Sequence, residues 1–233
     1  MVRLGPNLGS DFMKTLFFLP ACTTAALLGI ISKSAIAASV SIVNPSFESF
    51  ALADGTFTNN GVGLSGFGWS VSAGPFVGVF NPSSEFTSIP DGQNTAYSHG
   101  PLIAQILSST LTANTRYSLQ VSVGDANNIG FSGYSVQLVA GGSVLAEDNN
   151  TLLPPDGGFV TSSVAFTALS GDPRIGLALE IRLLTFSSDA TETNFDNVRL
   201  DASPVPESRP ALLLGLGLTA LAVFRLRFRT MLG

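Results

Sequence analysis

Cysteine and histidine are almost missing from this chain. The one cysteine, Cys22, falls in an apolar N-terminal stretch, so the remainder can form neither a disulfide nor a thiolate metal site. The one histidine, His99, stands between Ser98 and Gly100 in a turn-like context and reads as a solvated loop residue. A Ser-His-Asp arrangement would have to recruit that single imidazole, and the usual zinc sites lack their ligands. Positive charge is also scarce. From Ala38 to Glu207, fifteen acids face four bases (Arg116, Arg174, Arg182 and Arg199), a formal charge of −11. A field of that sign repels phosphate backbones and sets nucleic acid aside as a partner. Any metal must be held by oxygen ligands, a preference of calcium rather than of transition metals. Long apolar patterns of 3.6-residue period are missing between Ser39 and Ala202, and no internal repeat is present.

The 233 residues suffice for one domain and two terminal trimmings. Between the ends run short alternating segments punctuated by Gly, Asn, Asp and Pro, which predicts an all-β domain over residues 38–202. Tyr117, Leu119, Val121 and Val123 share one strand face, while Ser118, Gln120 and Ser122 share the other. Val160, Ser162, Val164 and Phe166 repeat the scheme, as do Leu177, Leu179, Ile181 and Leu183. Gly141-Gly142 supplies a hairpin turn. About nine such strands predict a two-sheet antiparallel jelly-roll sandwich, with a barrel as the rival. The stretch from Gly61 to Gly66 satisfies G-x-G-x-x-G, yet it leads into Gly68-Trp69 rather than a helix and reads as a loop.

Both ends read as addresses. Residues 1–37 form a secretory leader, with Lys14, an apolar stretch from Leu16 to Ile31, and Ala35-Ile36-Ala37 as the cleavage signal; the start is at Met1 or Met13. A lipoprotein box at Leu19-Pro20-Ala21-Cys22 is the competing reading. In the tail, residues 203–233, an apolar helix is expected over 211–224. As a helix it would measure roughly 21 Å, short of the roughly 30 Å hydrocarbon core. Arg225, Arg227 and Arg229 would set its C-terminal end on the cytoplasmic side. The order of Val205-Pro206-Glu207-Ser208, apolar run and arginines resembles the PEP-CTERM sorting signal of Gram-negative bacteria, although Ser208 stands where the motif has its second proline. That resemblance implies export through the Sec machinery, a transient inner-membrane anchor, processing by an exosortase-type transpeptidase, and delivery to the envelope or an exopolysaccharide matrix. An ordinary C-terminal anchor is the alternative.

Two motifs bracket the body: Asn44 to Ser49 ("NPSFES") and Asn194 to Leu200 ("NFDNVRL"). Strand parity puts Asp196 on the face of Val198 and Leu200, where an unpaired carboxylate would cost several kcal/mol, so it needs a cation or several donors. The bracketing resembles galactose-binding-like jelly rolls and many carbohydrate-binding modules. There an early Glu and a late Asp hold a structural Ca²⁺, which implies Glu48 and Asp196 as the ligands here. For a glycan, the stacking candidates are Trp69, Phe86 and Tyr97, with Asp91, Gln93 and Asn94 as hydrogen-bonding partners.

Three stretches, "LIAQILSSTLTANTRYSLQVSVGD", "GYSVQLVAGGSVLAEDNN" and "LALEIRLLTFSSDATETNFDNVRL", also resemble the calcium-dependent Stig cyclases of cyanobacterial indole-alkaloid pathways. The proposed general acid of those enzymes lies two residues before the calcium-site Asp, a position held here by Asn194; Tyr97 falls in their Asn-x-x-Tyr region. An amide cannot deliver a proton as a carboxylic acid does. The expectation is therefore a non-catalytic, calcium-stabilised envelope or matrix protein with a glycan partner. A cyclase-like enzyme acting on a hydrophobic small molecule is the alternative, and a purely structural matrix component is a third reading.

Overall fold

A computed structural model of the chain describes residues 36–186 and 190–205. The leader up to Ala35 and the tail from Pro206 onward, including Glu207, Ser208, Arg225, Arg227 and Arg229, lie outside the described residues. Among the described residues no helix is long and apolar enough to cross a membrane.

Two sheets make the sandwich. In the larger, the order is β11 (Gly158–Ala168), β7 (Thr115–Asp125), β13 (Thr191–Pro204), β5 (Thr95–Ser98), β4 (Val77–Asn81) and β2 (Thr56–Phe57). β1 (Ala38–Ser39) and β8 (Gly130–Phe131) also pair with β13. The smaller sheet runs β10 (Ser143–Asn149), β9 (Tyr134–Ala140), β12 (Ala178–Thr185), β6 (Ile103–Thr110) and β3 (Ser70–Val71). All pairs are antiparallel except β8 with β13, a short parallel contact that the sequence pattern does not announce.

Tyr117, Leu119, Val121 and Val123 of β7 point into the core as expected and meet Ile103, Leu138, Leu179, Ile181 and Leu183 of the opposite sheet. Burial of such side chains contributes roughly 1.5–3 kcal/mol each. Leu177 departs from the expected row: it precedes β12, follows Gly176 at φ +85°, and is exposed. Gly141 and Gly142, at φ +55° and +82°, make the hairpin turn between β9 and β10. The Gly61 to Gly66 stretch is a loop whose Leu64 plugs into the core, and it opens no helix.

β13 contains the irregularity that matters most. Asp196 pairs with Ser122, but Arg199 pairs with Gln120, so one extra residue is inserted between them. Asn197 accommodates it at φ +51°, and the Val198 amide leaves the ladder to bond the Pro45 carbonyl. Such a bulge resets strand parity. Phe195 pairs with Val123 and Leu200 with Leu119, both core-facing, whereas Asp196 shares the opposite face with Ser122. The expected placement of Asp196 beside Val198 and Leu200 is thus corrected. Asp196 is nevertheless wholly buried.

Candidate functional site

The face of the larger sheet that turns away from the sandwich core is covered by loops, and it carries polar rows. Paired residues share a face, so Gly78, Tyr97, Asn194 and Gly124 form one row across four strands. Phe80 and Thr95 form the next, level with Asp196 and Ser122. Successive rows are two residues apart, roughly 6.6 Å. Both glycines are required by close approach. A Cβ at Gly78 would lie 2.5 Å from the Thr58 carbonyl oxygen, and one at Gly124 would lie 2.4 Å from Phe159 Cε1. The 56–62 segment and Phe159 are thereby laid directly over the sheet.

Tyr97 sits at the centre of this floor. Its hydroxyl donates to the Thr58 carbonyl and lies 2.8 Å from Asn59 Oδ1, and Phe57 packs edge-on at 6.1 Å. Burial, and then the charge of Glu192, push its ionisation well above the ordinary phenol value. Asn194 accepts from Thr95 Oγ1 at 2.9 Å and donates through Nδ2 to Glu192 Oε1 at 2.7 Å. Glu192 Oε2 is 3.1 Å from His99 Nε2. His99 is therefore no solvated loop residue: its side chain is 12% exposed, and its ring lies against Phe76 and Tyr97.

One row further along β13, two carboxylates converge on a single loop. Glu48 Oε1 accepts the amides of Gln93 (2.8 Å) and Asn94 (2.6 Å), and Asp196 Oδ2 accepts that of Asp91 (2.9 Å). Asp91 is itself held by Ser46 Oγ at 2.7 Å. Burial first, with added repulsion from Asp91 and Glu48, pushes Asp196 up to about 8, against the pull of the Asp91 and Asn197 amides. Among the described residues no three His, Cys, Asp or Glu side chains are grouped to hold a metal ion by themselves. A cation would rest on two carboxylates completed by other oxygens, and a buried acid facing two like charges fits one.

The aromatic platforms expected for a glycan are not presented. Trp69 is a core residue, 3% exposed, its indole N–H donating to the Asn44 carbonyl at 2.9 Å and its ring 5.2 Å from Phe47. Tyr97 is 4% exposed, and Phe86 is stacked on Phe159 at 4.6 Å. Asn94 is buried, its Nδ2 donating to the Phe47 and Phe50 carbonyls, while Asp91 and Gln93 stay exposed on the loop. What sequence reasoning missed was Glu192. The alternation Glu192, Asn194, Asp196 in a strand was its only signal.

The HpiC1-like (HpiC1 cyclase) profile matches residues 38–201, most of the chain. The chain belongs to this cyclase family. Family membership is matched in solved structures. The Stig cyclase FisC from Fischerella sp. TAU, in complex with (3Z)-3-(1-methyl-2-pyrrolidinylidene)-3H-indole, is 30% identical with a TM-score of 0.67, covering 73% of this chain and 100% of that one. A cyclase from Fischerella sp. TAU with 4-(1H-indol-3-yl)butan-2-one is 30% identical at TM-score 0.65, over 73% and 100% of the two chains. Among curated proteins none matches. The xylan-binding CBM22-1 domain from Paenibacillus barcinonensis Xyn10C, at 14% identity and TM-score 0.44 over 73% and 99%, is too remote to carry an argument about ligands. The expectation of a non-catalytic glycan-binding matrix protein is corrected accordingly: the family is one of cyclases.

Proposed function

We propose that the chain is a cyclase, supported by calcium, that closes a ring within a hydrophobic small molecule bearing an indole-type group. The observation that carries this reading is the family match over residues 38–201. The row of Tyr97 and Asn194, with Phe57 and Phe159 against it, supports it, because it sets aromatic surface beside a few fixed polar groups, as sites for such ligands do. Glu48 and Asp196 would hold the Ca²⁺. Bound there, it supplies positive charge that neutralises a buried acid. The chain's own contribution is to tie the 91–94 loop to Asp196 and Glu48 beside the Thr95 and Tyr97 rows. We further propose that the leader and tail direct export by the Sec and exosortase routes, which mass spectrometry of the secreted chain checks by finding Ala38 at its start.

The test is incubation of the full chain with an indole carrying an unsaturated side chain, with Ca²⁺ and with EDTA. A ring-closed isomer of unchanged mass, formed with Ca²⁺ and suppressed by EDTA, is expected. If no isomer forms and neither indole ligand of the Fischerella cyclases binds, the reading is wrong.

A further inference from the structure

The sandwich has two ends, and the chain enters and leaves it at the same one. The Val205 amide, just past β13, donates to the Asn114 carbonyl at 2.7 Å, and Ala38 pairs with Ala202 close by. Three further segments gather there: 111–116, where β6 passes into β7; 141–144, between β9 and β10; and 168–178, between β11 and β12. Register brings them together. Thr115 stands level with Ala168 and Pro204, the Leu111 amide donates to the Leu177 carbonyl at 2.9 Å, and Leu177 lies over Gly141, where a Cβ would clash with it.

This end is apolar at its tips and short of negative charge. Leu169 is 66% exposed and Leu177 41%, with Val144 and Val205 exposed as well. In segments 111–116, 141–144, 168–178 and 203–205 the charged residues are Arg116, Asp172 and Arg174, a net +1 in a body whose formal charge is −11. Asp172 is neutralised on the spot, accepting from Arg174 Nε at 2.9 Å and Nη2 at 2.7 Å, while that guanidinium lies 5.0 Å above the Phe166 ring. Arg116 is exposed. The opposite end, where β7 and β10 finish and β13 begins, collects Asp125, Asp148, Asp156 and Glu192. An anionic lipid surface repels that end and admits the first.

The sequence past Val205 says what the first end meets. Five residues, Pro206 to Pro210, separate Val205 from the apolar run that begins at Ala211. Even fully extended, that connection reaches about 22 Å at most. With the run seated in a bilayer, the end of the sandwich cannot move far from the lipid surface. A tether this short holds it at an effective concentration in the millimolar range, so contact needs little affinity of its own.

We infer that this end is a membrane-docking surface, with Leu169, Leu177 and Val205 entering the interfacial layer of an anionic bilayer and Arg116 facing the headgroups. Exposed apolar side chains beside a cation are what such a layer takes up. The inference rests on the tail acting as a membrane anchor and is independent of the cyclase reading. It also orients the candidate site. Gly124, in the row of Tyr97 and Asn194, lies nine residues along β7 from Thr115, roughly 30 Å, so the row is held on the aqueous side.

The test uses the full sequence with Cys22→Ser, expressed in a bacterium without an exosortase so that the tail is kept. The exported chain is purified from membranes and reconstituted in vesicles of phosphatidylethanolamine and phosphatidylglycerol. One cysteine-linked fluorophore is placed at Leu169→Cys or, at the opposite end, at Leu153→Cys, a position 76% exposed. Lipids spin-labelled near the headgroup are expected to quench the Leu169 label several-fold more than the Leu153 label. Adding Leu177→Glu should lower that quenching about twofold without moving the melting temperature, because interfacial binding scales with buried apolar area. Arg116→Glu, a change at an exposed position, should lower it too. Equal quenching at the two ends overturns the docking surface and leaves the tail reading standing, as does quenching at Leu169 that neither variant lowers. A chain that is not recovered with membranes brings down the tail reading and the docking surface together.

Discussion

Asp196→Asn removes a wholly buried carboxyl at the junction of β13, the 91–94 loop and Glu48. Burial, then the charges of Asp91 and Glu48, push that carboxyl up to about 8, whereas in the unfolded chain it ionises near the ordinary carboxylate value of about 4. Without a cation the folded chain holds a proton that the unfolded chain releases. The corresponding stability is fully present below about pH 4 and is lost as the pH rises through about 8. Each tenfold change in proton affinity is about 1.4 kcal/mol, so the whole span of about four units is on the order of 5–6 kcal/mol, against a typical domain stability of 5–15 kcal/mol. Urea unfolding in EDTA at pH 5 and pH 8.5 measures it. Wild type should be several kcal/mol less stable at the higher pH, and the Asn variant should show a much flatter dependence. Subtracting the two removes other titrating groups, among them Asp125, which burial and then Asp156 also push upward. Calcium at a hundredfold excess over its Kd should return about 2.7 kcal/mol to wild type at pH 8.5 and nothing to the variant. Parallel pH profiles for the two proteins, or an equal calcium response, would refute the reasoning.

Three further outcomes are expected. Trp69→Ala should cost about 3–5 kcal/mol by chemical denaturation, as for other buried aromatics, because Trp69 fills core space beside Phe47 and bonds Asn44. Asp148→Asn should cost about 2–4 kcal/mol at pH 7, since Tyr134, Ser162 and Thr151 hydroxyls all donate to that buried carboxylate. Burial raises Asp148, yet those bonds outweigh it and the net displacement is downward, so this stability is present above about pH 4 and should fade in acid unfolding as the pH falls below it. Gly124→Ala should displace Phe159, costing about 1–3 kcal/mol in melting measurements and weakening binding of 4-(1H-indol-3-yl)butan-2-one several-fold.

Much of the architecture was legible because strand alternation is a local property. The β7 row, the Gly141-Gly142 hairpin and the two-sheet sandwich all follow from period-two patterning and turn chemistry. Asp196 was picked out correctly as buried but on the wrong face, because a one-residue bulge between Asp196 and Arg199 resets parity without leaving a mark that alternation can read. Trp69 and Tyr97 were candidates for either core or platform, and both are buried, because short segments between loops carry too little periodicity to decide which.

Residue type and spacing along the chain are enough to specify the two-sheet sandwich, and with one cysteine outside the body they leave oxygen donors as the candidates for any metal. The meeting of His99 with Glu192, 93 positions away, and the binding of one loop by both Glu48 and Asp196 arise from the folded arrangement alone. Strand order in the larger sheet sets β5 beside β13 through long-range pairing, and no local pattern encodes which strands become neighbours.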